Sequence, residues 1–314
     1  MSVSIKELAE KPVRLTEGHR LCAGCSEPII ARQVLMATDK PVVVSNATGC
    51  FEVSTTGFPY SAWQVPWIHS AFENAAATIS GVESAYRVLK RKGKIHDDMR
   101  FVAFAGDGGT YDIGFQALSG AIERGHQFMF VCMNNEAYMN TGIQRSGATG
   151  RGASTTTCPS GTCEPGKKEF PKDITKIIAA HNLPYAAQAS PHNWRDLIDK
   201  AAKGFEAGGP AFLNIVAPCP RGWRYESAQT IEIAQLAVET CMWPLYEYDR
   251  GKWNLTGESK RIAEGTKEKR PIVDWLKSQG RFKHLLDPKW KPVADEIQAN
   301  VDAKWEELLR LAKK

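Results

Sequence analysis

A chain of 314 residues is long enough to bury a full hydrophobic core. Its 43% hydrophobic and 24% charged residues are ordinary for a globular protein, and a net charge of +5 is too small to argue for a nucleic-acid partner. No apolar run reaches membrane-spanning length and Met1–Lys6 lacks the apolar core of a signal peptide, so the expectation is a cytoplasmic protein with no membrane partner.

Short β-like runs alternate with helical ones. Pro41–Ser45 reads as a buried strand, His69–Lys92 as a long helix, Phe101–Ala105 as a strand, Asp112–Arg124 as a helix and Gln127–Met133 as a third strand. The stretch Glu136–Phe170 is irregular and rich in Gly, Ser and Thr; so long a segment without structure of its own inside a domain is usually functional. Helix Lys172–His181, strand Pro184–Ala189, helix Asn193–Glu206 and strand Ala211–Ala217 continue the alternation. Near-continuous apolar strands separated by helices predict an α/β fold, a parallel sheet with helices on both faces. After Cys219 the pattern changes. Thr230–Thr240 reads as a helix, Leu245–Leu255 as a hairpin or extended arm, and Ala263–Arg270 as an exposed charged stretch. Asp295–Ala312 reads as an amphipathic helix with Ile297, Val301, Trp305 and Leu308 on its packing face. Residues 1–224 are expected to form the cofactor-binding domain, and 225–314 a C-terminal extension packed on that domain or on a partner subunit.

Gly106-Asp107-Gly108-Gly109 directly follows a predicted strand, at the sheet end where ligands of open α/β proteins bind. Glycines let a backbone approach a phosphate, and a helix N-terminus offers it unpaired N–H groups. Asp107 supplies the hard anionic oxygen that Mg²⁺ requires, and an amide oxygen from Asn134-Asn135, at the next strand end, can complete the coordination. Gly-Asp-Gly alone is explained as well by a plain strand-to-helix turn. With the Asn pair at the neighbouring strand end, the spacing resembles the thiamine diphosphate signature.

Eight cysteines exceed what packing requires, and in a reducing compartment they point to ligation, catalysis or burial rather than disulfides. Cys132, inside the apolar run Phe128–Met133, and Cys241, at the end of a helical pattern, read as core residues. Cys158 and Cys163 lie in a loop where they could pair or ligate. Cys22 and Cys25 form a CxxC; Cys50 ends the polar loop Asn46–Cys50, and Cys219 precedes Pro220. Thiolates suit zinc or iron–sulfur clusters. Structural zinc sites usually close with a second CxxC or a Cys/His pair, whereas Cys50 and Cys219 stand alone and Cys219-Pro220 echoes a ferredoxin ligand run. The pattern favours iron–sulfur and leaves zinc open.

Four segments carry a family resemblance: Cys22–Pro28, Asn46–Cys50, Gly106–Gly114 and Asn135–Gly142. They resemble the thiamine-diphosphate-binding β subunit of 2-oxoacid:ferredoxin oxidoreductases, in the pyruvate branch, and the match is collinear from about Arg20 to Trp223. The resemblance implies a diphosphate-binding (PP-type) domain with thiamine diphosphate, Mg²⁺ and one 4Fe-4S cluster. It implies Cys22, Cys25, Cys50 and Cys219 as cluster ligands, and Asp107, Asn135 and the Ala137 carbonyl as Mg²⁺ ligands. Gly106, Gly108, Gly109, Tyr138 and Cys50 would border the cofactor with Glu27, and Asn140 would face the reacting carbon. Asn140 and Glu27 are thus the catalytic candidates. The carboxylate that activates the thiamine ring would come from another subunit, because residues 225–314 are too few for a second thiamine domain. Partner subunits and ferredoxin are therefore expected, with a small 2-oxoacid or oxalate as substrate. Gly57-Phe58 before Pro59-Tyr60, Phe115 and the Cys158/Cys163 loop look most like the oxalate-cleaving members of the family, so oxalate is expected slightly ahead of pyruvate. Two other readings remain: a non-redox thiamine lyase with structural zinc, and a non-catalytic cluster scaffold.

Overall fold

The structure, a computed structural model, describes residues 4–313. Eight strands form one sheet: β1 Val42–Ala47, β2 Trp67–Ser70, β3 Arg100–Gly106, β4 Met129–Asn134, β5 Tyr185–Ala189, β6 Ala211–Val216, β7 Tyr246–Asp249 and β8 Lys252–Leu255. Their order is β2-β1-β3-β4-β6-β5-β7-β8, parallel from β2 to β5, with β7 and β8 added antiparallel.

Strand alternation sends neighbouring side chains to opposite faces and so builds two cores. Val42, Val44, Val102, Phe104, Val131 and Leu213 face one way, under the helices Glu27–Met36 and Trp194–Phe205. Val43, Phe101, Ala103, Phe130, Cys132 and Phe212 face the other, under Ala75–Arg91, Phe115–Glu123 and Ile174–Ala179. Burial on both faces explains why these strands read as continuous apolar runs.

The chain leaves β1 towards β2 on one side, then crosses to β3 on the other. The order reverses between β1 and β3, which opens a crevice at their carboxyl ends. The ladders run nearly flush there, pairing Asn46 with Phe104, Gly106 with Met133 and Asn134 with Val216. The four strand-end loops therefore meet along one edge.

Several expectations need adjustment. His69 belongs to β2, not to the helix, which starts at Ala75; β2 is short and carries polar His69 and Ser70, so it lacks an apolar signature. The helix expected from Asp112 begins instead with a π-helical turn, Gly108–Asp112, followed by Phe115–Glu123. β1 runs on through Asn46 and Ala47, and Cys50 opens a helix, Cys50–Thr55, rather than closing a loop. Leu245–Leu255 is a hairpin, turned at Arg250-Gly251 with φ of 44° and 90°, which suits a tight connection between twisted strands. Its first strand pairs with β5, so the C-terminal extension completes the main sheet. The last helix, Lys291–Ala312, buries Ile297, Val301, Trp305 and Leu308 as expected, in a third core with Trp223 and Trp275. Among the described residues, no helix is long and apolar enough to cross a membrane.

Candidate active site

A pocket opens at the crevice, walled by the loops after β1, β3 and β4 and floored by Glu27. Asp107 ends the β3 loop and is fully buried. Its Oδ2 accepts from the Ser146 hydroxyl, and burial pushes the carboxyl up to about 7. A buried carboxyl without a cation is unfavourable as an anion, and a divalent ion would reverse that preference. The π-turn after Asp107 re-aims the backbone at the helix start, a device frequent at functional sites. Gly108 is required there, since a Cβ would run into the Tyr138 ring, whose hydroxyl donates to the Gly108 carbonyl at 3.3 Å.

The two asparagines at the end of β4 diverge, as alternation demands. Asn134 turns inward: its Nδ2 donates to the Tyr111 hydroxyl at 2.8 Å and its Oδ1 accepts from the Glu136 N–H at 3.0 Å. Asn135 faces the pocket, with Nδ2 donating to Glu27 Oε1 at 3.0 Å. Glu27 opens its helix, is buried and is pushed up to about 7 by that burial. Among the described residues, Asp107 Oδ1, Asn135 Oδ1, Glu27 Oε2 and Asn46 Nδ2 are buried without hydrogen-bond partners. Glu27, Asn46 and Asn135 line the pocket, and Asp107 lies in the chain between its wall residues Gly106 and Gly108; orphans so placed are what a polar ligand would satisfy. A Cβ at Gly106 or Gly49 would meet no atom of the described residues within 4 Å, so both glycines leave open space on the pocket wall. Ala137, Tyr138 and Asn140 continue that wall, with Asn140 exposed at the mouth.

The cysteine loops flank the same pocket. Cys25 N–H bonds the Cys22 carbonyl at 3.0 Å, closing a turn through Gly24 at φ +77°. The turn is anchored on the β6 loop: Ser26 Oγ donates to the Pro218 carbonyl at 3.0 Å and Thr230 Oγ1 to the Gly24 carbonyl at 2.5 Å. Cys219 follows Pro218, its sulfur accepting from the Gly222 N–H at 3.4 Å. Cys50 lies on the pocket wall itself. Burial, reinforced by the Glu27 carboxyl and by the other cysteines, pushes Cys50 up to about 12 and raises Cys25 and Cys219. Such thiols do not ionise unaided near neutrality; bound iron or zinc would deprotonate them. Cys132 and Cys241 are buried in two of the cores. Cys163 sits in a small loop closed by a Ser160–Pro165 bridge, Cys158 lies just before it, and both are free thiols.

Sequence reasoning missed Ser146, Trp223 and Arg281. Trp223 Nε1 donates to the Asn135 carbonyl at 2.7 Å, and Arg281 ion-pairs with Glu136 at 2.9 Å. Only the long irregular stretch hinted at Ser146; the other two act through contacts distant in the chain. The residues behind the oxalate expectation lie elsewhere. Phe58 is 97% exposed, and Phe115 packs edge-on against His181 at 6.5 Å; neither lines the pocket.

Residues 47–215 match the family "Thiamine pyrophosphate enzyme, C-terminal TPP binding domain". The chain is 50% identical to pyruvate synthase subunit PorB of Thermotoga maritima, covering 99% of this chain and 97% of the relative. It is also 50% identical to PorB of Methanosarcina barkeri, over 87% and 88% of the two chains. Ketoisovalerate oxidoreductase subunit VorB of Pyrococcus abyssi is 42% identical, over 94% and 92%. A solved 2-oxoglutarate:ferredoxin oxidoreductase of Magnetococcus marinus, at 19% identity, shares the fold with a TM-score of 0.54, over 71% of this chain and 79% of that one. A strand-end pocket with an orphaned carboxylate, inside a matched thiamine pyrophosphate domain, defines a thiamine-dependent enzyme. Within that class the chain belongs to the β subunits of the 2-oxoacid:ferredoxin oxidoreductases, pyruvate branch. These are oxidoreductases with an iron–sulfur protein as acceptor. The PorB and VorB relatives are named for pyruvate or a branched 2-oxoacid, which favours the pyruvate alternative over the oxalate expectation.

Proposed function

We propose that this chain is the thiamine-diphosphate subunit of a heteromeric enzyme that oxidatively decarboxylates a small 2-oxoacid of the pyruvate type, with coenzyme A. Electrons leave through a 4Fe-4S cluster held by Cys22, Cys25, Cys50 and Cys219 and pass to ferredoxin. The observation that carries the reading is the orphaned pair Asn135 Oδ1 and Glu27 Oε2 on a pocket whose wall includes Cys50, with the orphaned Asp107 Oδ1 carried between the wall residues Gly106 and Gly108.

Asp107 Oδ1 and Asn135 Oδ1, with the Ala137 carbonyl, would bind Mg²⁺, and the diphosphate would lie against Gly106, Gly108 and Gly109. Among the described residues, Asp107 belongs to no group of three His, Cys, Asp or Glu side chains placed to hold a metal ion, so a cation there would draw its other ligands from amide and carbonyl oxygens and from the phosphates. When bound, thiamine diphosphate supplies the nucleophilic carbon that lets a 2-oxoacid lose CO₂. Glu27, pushed up to about 7 by burial, holds Asn135 and, when protonated, relieves the space between pocket and cysteines of a full charge. Asn140, at the mouth, offers an amide to the substrate, and Tyr138 closes the wall beside Gly108. The subunit names of the relatives support partner chains, one of which would bring the activating carboxylate. In this reading residues 1–224 hold the cofactors and 225–314 form the extension behind them.

Acceptor reduction and CO₂ release should be compared on the anaerobic complex with pyruvate plus coenzyme A, 2-oxoisovalerate plus coenzyme A, and oxalate alone. Turnover of pyruvate that requires coenzyme A is expected. Turnover of oxalate only would overturn the substrate assignment.

A further inference from the structure

We propose that Arg281, in the C-terminal extension, is the positioning residue for the loop Asn135–Ala137; this rests on the cofactor reading above. Glu136 adopts φ +61°, a left-handed conformation that is costly for a non-glycine residue and persists only where its surroundings impose it. Three contacts do so. The Glu136 N–H donates to Asn134 Oδ1, its carbonyl accepts from Thr149 Oγ1 at 2.6 Å, and its carboxylate meets Arg281 Nη1 at 2.9 Å. The last contact is deeply buried, each side chain being 3% exposed.

Arg281 grips the same loop a second time. Its guanidinium lies 3.9 Å from the centre of the Trp223 ring, and Trp223 Nε1 donates to the Asn135 carbonyl. One side chain therefore bears on both sides of the Asn135–Glu136 peptide, through the Glu136 carboxylate and through the Asn135 carbonyl. Arg281 is itself fixed: its Nε donates to Gln279 Oε1 at 2.8 Å and its carbonyl accepts from the Ser154 N–H at 3.0 Å. Planar stacking on Trp223 together with the Nε hydrogen bond to Gln279 suits guanidinium and not ammonium.

The test is a Mg²⁺ titration of thiamine diphosphate binding to the assembled complex, followed by calorimetry, with turnover measured separately at saturating Mg²⁺. Arg281→Lys keeps the charge but loses the stacking geometry. It should raise the Mg²⁺ concentration for half-maximal binding about tenfold, as loss of a partner behind a metal ligand does, while kcat at saturation stays within about twofold. Arg281→Gln strands the buried Glu136 charge and should shift it further. Should that variant fail to fold, Arg281→Lys and the uncharged double variant Glu136→Gln/Arg281→Gln carry the measurement. A folded Arg281→Lys complex with unshifted Mg²⁺ dependence, beside a normal wild-type titration, would overturn the positioning role alone. Wild-type protein with no Mg²⁺-dependent thiamine diphosphate binding would overturn the cofactor reading, and this role with it.

Discussion

Asn135 Nδ2 donates a 3.0 Å hydrogen bond to Glu27 Oε1, tying the end of β4 to the first turn of the helix behind the CxxC loop. The bond fixes which way the amide points. With its nitrogen on the carboxyl group, Asn135 turns Oδ1 towards the pocket, where it has no other partner among the described residues. It also joins the two halves of the site, since the residues preceding Glu27 are anchored on the Cys219 loop through Ser26 and Pro218.

Replacing Glu27 separates its anchoring from its charge. Glu27→Gln retains an oxygen that accepts from Asn135 and should leave Mg²⁺-dependent thiamine diphosphate binding nearly intact. Glu27→Ala frees the amide and should weaken that binding about tenfold, by the usual effect of removing a partner behind a metal ligand. Equal binding by both variants would show that Asn135 is oriented by something else.

Gly108 tests the close approach of the β3 and β4 loops. A Cβ there meets the Tyr138 ring, so Gly108→Ala should lower stability by about 1–3 kcal/mol, the usual range for overpacking. Removing the obstacle in Gly108→Ala/Tyr138→Ala should recover part of that loss. Thermal unfolding of both variants against wild type gives the comparison, and a fully stable single variant would refute the contact.

The cysteines divide into pocket-side and core sets. Cys50→Ser should remove much of the visible iron–sulfur absorption of anaerobically purified protein. Cys132→Ala, in the core between sheet and helices, should leave that spectrum unchanged and cost stability only. Iron and sulfide analysis of the two variants distinguishes the sets.

Glu258 gives the fold a pH dependence remote from the pocket. His192 and Asn193 hold its carboxyl well below the usual carboxylate range, with Arg261 Nη2 at 2.9 Å. A depressed folded pKa contributes stability above the unfolded value of 4.5 and loses it as pH falls towards the folded pKa. The difference in unfolding midpoint between wild type and Glu258→Gln should therefore be larger at pH 6 than at pH 4. A constant difference would contradict the assignment.

Much of the candidate site was legible in the sequence because its residues sit at strand ends. The apolar runs before Asp107, Asn135 and Cys219 mark those ends, and a parallel sheet brings such ends to one edge. The covering of both faces was equally legible, since unbroken runs such as Val42–Val44 and Phe101–Ala105 need burial on each side. What escaped depends on contacts distant in the chain. Arg281 looks like any charged residue near the C-terminus until it is found stacked on Trp223. β2 is four residues long, and two of them, His69 and Ser70, are polar. The π-turn at Gly108–Asp112, packed beside Tyr138, lies beyond the reach of local propensity. Phe58 and Phe115 lie away from the pocket and so carry no mark of the substrate.

The central claim is that a thiamine site and an electron-accepting cluster share this chain. It is tested most directly by following the visible iron–sulfur absorption of the anaerobic complex as pyruvate and coenzyme A are added, with and without thiamine diphosphate and Mg²⁺. The account predicts bleaching that requires both thiamine diphosphate and Mg²⁺ and that is lost in Cys50→Ser. A colourless, zinc-containing complex, or bleaching that proceeds without thiamine diphosphate, would contradict it.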